Sequence, residues 1–143
     1  MEDEADREFL AGVRDEVLAY FERHGVNHGG LPEQPAWYVA PYVAVWAVRS
    51  GQAPASTGWF AIAGDLPTDY VSSLDARDAR SALQHFSRLW HEVADCMARG
   101  VQHPECRIGS PESWPELHDL LRRRADLLGE FASDDRVWSD SGR

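Results

Sequence analysis

Three places in the sequence bring together residue types that can do chemistry. The first is Gly64-Asp-Leu-Pro-Thr-Asp-Tyr70, where Asp65 and Asp69 stand four residues apart with Thr68 between them. Two carboxylates at that spacing can share acid/base work or bind a cation, with His28 as the proton-transfer partner. Asp, Thr and Pro67 are equally ordinary turn formers, and on that reading Asp69 only caps a turn. The second place is the set of six histidines. His24 and His28 are four apart, but Gly25 between them breaks the helical face that would make them a ligand pair. His103-Pro-Glu-Cys106, with Cys96 upstream, offers nitrogen and sulfur at short spacing. That is one half of a structural zinc pattern, which needs two such halves, so no bound metal is expected. His85 and His91 read as surface or near-core helix residues. The third place is aromatic. Trp37, Trp46 and Trp59 gather in the middle of the chain, either as a packed core cluster or as a recognition face of the kind that Trp and Tyr dominate.

Other reactive patterns are missing. There is no Gly-x-Ser-x-Gly elbow. Cys96 falls beside an apolar stripe, where cysteine behaves as a small hydrophobe. Cys106 sits in a loop, and its reactivity would need a depressed pKa. Every cation is an arginine, so Schiff-base and phosphate-loop lysines are ruled out, and Gly29-Gly30 is not a phosphate loop. No cofactor is expected. The triplet Arg122-Arg-Arg124 reads as a solvated helix face, neutralised locally by Asp119 and Asp126.

The elements that must position these residues are few. The chain has 143 residues, the length of one domain, and the reading assigns 1–143 to a single domain. Its 43% hydrophobic and 27% charged content is that of a globular protein, which argues against a disordered chain. The net charge of −10 argues against a general nucleic-acid binder, which needs surplus cation. Residues 1–16 concentrate that charge, with seven acids (Glu2, Asp3, Glu4, Asp6, Glu8, Asp15, Glu16) against Arg7 and Arg14. Acid there complements a helix dipole or steers a basic partner. The acidic start lacks an apolar h-region, and no apolar run reaches the roughly 20 residues of a spanning helix. A soluble, cytoplasmic protein without membrane contact is expected.

The apolar spacing of Phe9, Val13, Val17, Tyr20 and Phe21 predicts a helix over 5–24, ended by Gly25. The region 37–70 holds seven aromatic residues and several valines. It reads as an antiparallel β-hairpin with strands at 42–49 and 59–63, joined by a loop over 50–58 and followed by a loop at 64–70. Pro41 and Gly51 leave a short helix over 41–50 as the alternative. Ala79, Ala82, Leu83, Phe86, Leu89, Trp90, Val93 and Met97 predict a long helix over 76–99, with Asp75 as N-cap, Asp78 completing a capping box and an Asp95–Arg99 pair on its surface. Ser113-Trp-Pro-Glu116 reads as the capping box of a helix over 114–132, with Leu117, Leu120, Leu121, Leu127, Leu128 and Phe131 on its buried face. Val137 and Trp138 tuck against the body. The fold class is α+β, three main helices on a small antiparallel hairpin or sheet.

The segments Arg14-Asp-Glu-Val17, Gly25-Val-Asn-His-Gly29, Pro35-Ala-Trp-Tyr-Val-Ala-Pro-Tyr42, Val45-Trp-Ala47, Gly58-Trp59, the run 64–70 and Arg107-Ile-Gly109 carry a resemblance. Over nearly its whole length the chain resembles a family of small, uncharacterised bacterial proteins that carries only a domain-of-unknown-function label. The resemblance implies a bacterial single-domain protein and supplies no catalytic residues. It marks Trp59, Asp65, Pro67 and Asp69 as hallmarks of function or of folding.

Two functions follow. The first is a non-enzymatic acidic protein-binding module, immunity- or adaptor-like, with a protein partner of basic character. Its binding residues would be Trp37, Trp59, Asp65, Pro67, Asp69, Tyr70 and His28. The second is a small hydrolase-type enzyme using Asp65 or Asp69 with His28, with or without a cation.

Overall fold

A computed structural model describes residues 4–139. They fall into two compact units, one running to Ala82 and the other beginning at Leu83. The fold class is α+β, as the sequence indicates.

The first unit opens with α1 (Glu4–Arg23), whose buried positions Leu10, Val13, Val17 and Phe21 recur at helical spacing. Gly25 ends it with φ 63°, while the Val26 N–H donates to the Phe21 carbonyl and the Gly25 N–H to that of Glu22. Those two bonds are the paired return contacts of a Schellman turn. Four antiparallel strands follow in sequence order: β1 (Trp37–Val39), β2 (Val43–Arg49), β3 (Thr57–Gly64) and β4 (Leu66–Ser72). The expected hairpin is therefore the middle of a four-stranded sheet.

Residues 41–50 form no helix. Pro41 lies in the turn between β1 and β2, where the Tyr42 N–H donates to Val39, and the valine-rich run after it is a strand. Residues 64–70 are not a loop either. The chain reverses at Gly64 and Asp65 and returns at once as β4, pairing Tyr70 with Ala61 and Asp69 with Ile62. Gly64 makes this possible with φ 141°, a conformation suited to glycine. A Cβ there would collide with the Tyr42 carbonyl, which accepts the Asp65 N–H at 2.9 Å.

Alternation along the strands creates two faces. One carries Ala44, Trp46, Val48, Ala61 and Ala63, which join Leu10, Val13, Val17 and Phe21 of α1 in one apolar cluster. The other carries Trp37, Val43, Val45, Phe60, Ile62 and Val71, all buried as well. A strand apolar on both faces needs both faces covered, which explains the unbroken apolar run of β2.

Helix α2 (Ala79–Ala98) starts three residues later than its spacing suggests. Its cap is Asp78 rather than Asp75. The Asp78 Oδ1 accepts the Ser81 N–H at 2.8 Å, and the Ser81 Oγ accepts the Asp78 N–H at 3.1 Å, a reciprocal box in which serine replaces the usual Glu.

In the second unit, Leu83, Phe86, Trp90, Val93 and Met97 of α2 are buried. A single 3₁₀ turn (Pro111–Ser113) leads into α3 (Trp114–Ser133), and a short α4 (Arg136–Ser139) follows. Ser113 does not cap α3 with its side chain. Its hydroxyl donates to the Ser110 carbonyl and accepts the Ser110 N–H, closing the turn one step upstream. The buried stripe of α3 is Leu121, Ala125, Leu128 and Ala132, while Leu120 faces outward. The Trp138 Nε1 donates to the Phe131 carbonyl at 2.8 Å, tucking the tail as anticipated.

A polar seam joins α2 to α3. Ser87 Oγ donates to the Ala125 carbonyl, His91 Nε2 lies 2.9 Å from Asp126 and Arg122 Nη1 lies 2.8 Å from Asp95. Asp95 is thus bridged by Arg122, whose hydrogen bond holds its carboxyl below the ordinary value, whereas the Arg99 side chain turns to the Asp95 carbonyl. Within the arginine triplet, Arg122 pairs with Asp95 across the seam. The neighbouring carboxylates Asp119 and Asp126 lie against His118 and His91.

Gly64→Ala is expected to destabilise the protein by about 2–4 kcal/mol, because a strained φ and a backbone collision act together. Urea unfolding followed by circular dichroism measures this. A loss under about 0.5 kcal/mol would contradict the turn geometry.

Candidate functional site

The first unit contains an open groove of about 750 Å³. One wall is the end of α1 and the turn after it, from His24 to Asn27. A second is the β2–β3 connection at Ser50, Gly51, Gln52 and Ser56. The floor and far side come from Thr57, Gly58, Trp59, Tyr70, Ser72, Ser73 and Leu74.

Backbone pairing draws these walls together. His28 forms an isolated bridge with Ser50, the Gly29 N–H donates to Arg49, and the Arg49 N–H donates to Gly30. Hydroxyls brace the loops. Ser50 Oγ accepts the Gln52 and Ala53 N–H groups at 3.2 Å, and Ser72 Oγ accepts the Leu74 N–H at 3.1 Å. Each hydroxyl used as an acceptor in this way keeps a proton for an acceptor from outside.

Rings form the apolar floor. Tyr70 meets Trp59 edge to face at 5.5 Å, Phe21 at 5.0 Å and Tyr20 at 5.9 Å. Tyr20 in turn stacks on His24 at 4.1 Å, and Phe21 meets His28 at 5.2 Å. Such pairs contribute roughly 0.5–1.5 kcal/mol each beyond their buried area. Beside them Leu74 stands 93% exposed.

Of the seven residues singled out in the sequence, the structure brings Trp59 and Tyr70 together in the groove and places His28 behind them against Phe21. His28 Nδ1 accepts the Gly30 N–H at 3.0 Å and so shapes the turn. Trp37 is buried on the opposite face of the sheet, in one cross-strand row with Val45, Ile62 and Asp69. The three tryptophans therefore do not form one cluster. Trp46 and Trp59 share the α1 face, and Trp37 does not.

Pro67 and Asp69 share the side of β4 opposite Tyr70, as alternation requires, and Asp69 Oδ1 accepts the Tyr70 N–H at 2.8 Å. Asp65 sits in the β3–β4 turn. His28 bridges the far end of β2, whose length separates it from that turn by roughly 20 Å at about 3.4 Å per residue. Proton transfer needs a contact of about 3 Å or one intervening water, and this placement offers neither between His28 and Asp65. Sequence reasoning missed Leu74, Asn27 and the serines of the rim, and weighed His24 only as a metal ligand. A lone leucine in the polar run Ser72-Ser-Leu-Asp75 has no periodicity that marks it.

In the His103–Cys106 segment the histidine holds the backbone turn. His103 is buried, and its Nδ1 accepts the N–H groups of Glu105 and Cys106, both at 3.1 Å. Its Nε2 lies 3.3 Å from Glu92 Oε1 on α2. With Nδ1 accepting, the proton belongs on Nε2 and points to that carboxylate. The ring is thus a turn-forming acceptor. Among the described residues no group of three or more His, Cys, Asp or Glu side chains is placed to hold a metal ion. His103→Ala is expected to cost about 1–3 kcal/mol by leaving two N–H groups without an acceptor. His103→Asn, whose Oδ1 takes the place of Nδ1, is expected to recover more than half of that loss. Equal stability losses for the two variants, read from urea unfolding, would refute the acceptor role.

Among the described residues no helix is long and apolar enough to cross a membrane. No curated protein and no solved structure shows significant similarity to the chain. A family profile described as a domain of unknown function, DUF4826, matches residues 8–138, and the chain therefore belongs to the DUF4826 family.

Proposed function

We propose that the chain is a non-enzymatic protein-binding module, adaptor- or immunity-like, that works in the bacterial cytoplasm and grips its partner at the groove of Trp59, Tyr70 and Leu74. The observation that carries this reading is Leu74. A leucine 93% exposed at the lip of a ring-floored groove is an apolar anchor left uncovered by the described residues. Around it the lining is Ser, Thr, Gly, Asn and Gln, with Trp and Tyr beneath. Paratopes use that mixture, in which rigid rings supply contact area and small polar groups adapt their hydrogen bonds. Hot spots at interfaces have the same layout, an apolar centre inside a polar rim.

The enzyme reading has less behind it. It needs Asp65 or Asp69 to work on one group with His28, and the two carboxylates occupy a turn and the sheet face opposite Tyr70, while His28 lies at the far end of β2.

Leu74→Asp changes an exposed side chain, so the free energy of unfolding is expected to stay within about 0.5 kcal/mol of wild type. Tagged wild-type and L74D proteins, used as baits in an extract of the source cells, test the reading. A partner retained by the wild type and depleted at least tenfold by L74D, about 1.4 kcal/mol, is the expected result. Equal recovery with both baits would overturn the assignment of the groove.

A further inference from the structure

Helix α1 carries an acidic ridge that leads to the wall of the groove. At about 100° per residue, Glu4, Glu8, Asp15 and Glu22 fall within about 40° of one another, on the side away from Leu10, Val13, Val17 and Phe21. All four are exposed. None makes a side-chain ion pair with another described residue. Arg14, on the flank of the helix, is engaged elsewhere: its guanidinium donates to the carbonyls of Leu31 and Pro32 at 3.0 and 3.2 Å. Glu4 and Glu8 are like charges one turn apart, an arrangement that weakens a helix.

Between the acids lie Ala11, Gly12 and Ala19, all small and exposed. Gly12 is the telling residue. A Cβ there would meet nothing within 4 Å, so packing does not require glycine, and glycine inside a helix is unfavourable beside alanine. The ridge ends at Glu22, two residues before His24 and three before Gly25 in the groove wall.

Building on the binding-module reading, we infer that the partner is a basic protein that enters the groove with an apolar side chain and lays an Arg- or Lys-bearing segment along α1. Charge complementarity selects this occupant. The ridge offers unpaired carboxylates at one-turn and two-turn intervals, and the small residues between them let long cationic side chains approach the helix closely. The charge also speeds encounter, so association falls as salt rises.

Site-specific photo-cross-linking in the source cells tests this, with a benzophenone amino acid placed at Leu74 in one protein and at Ala19 in another. The same protein is expected at both sites, and the peptide cross-linked at Ala19 is expected to carry several Arg or Lys residues. With that partner purified, the triple variant Glu8→Gln, Asp15→Asn, Glu22→Gln is expected to bind at least tenfold more weakly at low salt and to lose most of the salt dependence. Gly12→Gln, which favours the helix, is expected to weaken binding at least fivefold, an effect that long-range steering alone would not give. Circular dichroism confirms that each variant is folded. A partner cross-linked only at Leu74, or a triple variant that binds like wild type, overturns the basic partner and leaves the groove reading standing. No protein captured at either site overturns both.

Discussion

Tyr70 ties α1 to the sheet, and the groove exists because of it. Its ring reaches Phe21 and Tyr20 on the helix and Trp59 on the neighbouring strand. That reach depends on what lies beside it in the sheet. Trp46, Ala61 and Tyr70 form one cross-strand row on the α1 face, with a small residue between two large rings. Ala61 leaves the volume that Trp46 and Tyr70 fill, the usual large-small alternation of close-packed faces. The register is set upstream, at Gly64. Without that tight reversal, Tyr70 would not stand opposite Ala61, and a one-residue slip would put its ring on the other face. The end of α1, the β2–β3 connection and the segment after β4 are thereby brought around a single ring-floored depression.

Much of this architecture is legible in the sequence where the signal is local. The helices announce themselves by apolar stripes at 3.6-residue spacing, and Gly25 and Gly100 mark two of their ends. Signals that depend on distant partners are harder to read. Residues 64–70 have the composition of a turn, and only pairing with β3 makes most of them a strand. Strand β1 is three residues long, too short for any periodicity. Cap positions shift by a few residues because Asp75 and Asp78, or Ser110 and Ser113, are chemically equivalent until the helix start is fixed. For the site, Trp59 and Tyr70 are legible by type. Leu74 is not, because one leucine among serines has no pattern to announce it. Asp65 and Asp69 have the right chemistry for catalysis, yet Asp69 accepts a backbone N–H and lies across the sheet from the groove.

Polar side chains in this chain mostly hold backbone in place. Arg14 secures the loop after α1 through two carbonyls, His28 closes a turn through the Gly30 N–H, and His103 does the same for Glu105 and Cys106. These groups explain why six histidines need not mean a metal. The carboxylates of the α1 ridge are different. They hold nothing inside the described structure, cost the helix some stability through mutual repulsion, and point outward beside the groove. Their charge is part of the chain's net −10.

The central claim is that Tyr70 packs at once on α1 and on β3 and so shapes the groove floor. Nuclear Overhauser contacts in the isotope-labelled full chain measure this most directly. Cross-peaks from the Tyr70 ring protons to those of Phe21, Tyr20 and Trp59 are the predicted result, since ring centroids 5.0 to 5.9 Å apart bring edge protons well within range. A Tyr70 ring with contacts to Trp59 but none to Phe21 or Tyr20 would contradict the seating of α1, and with it the groove.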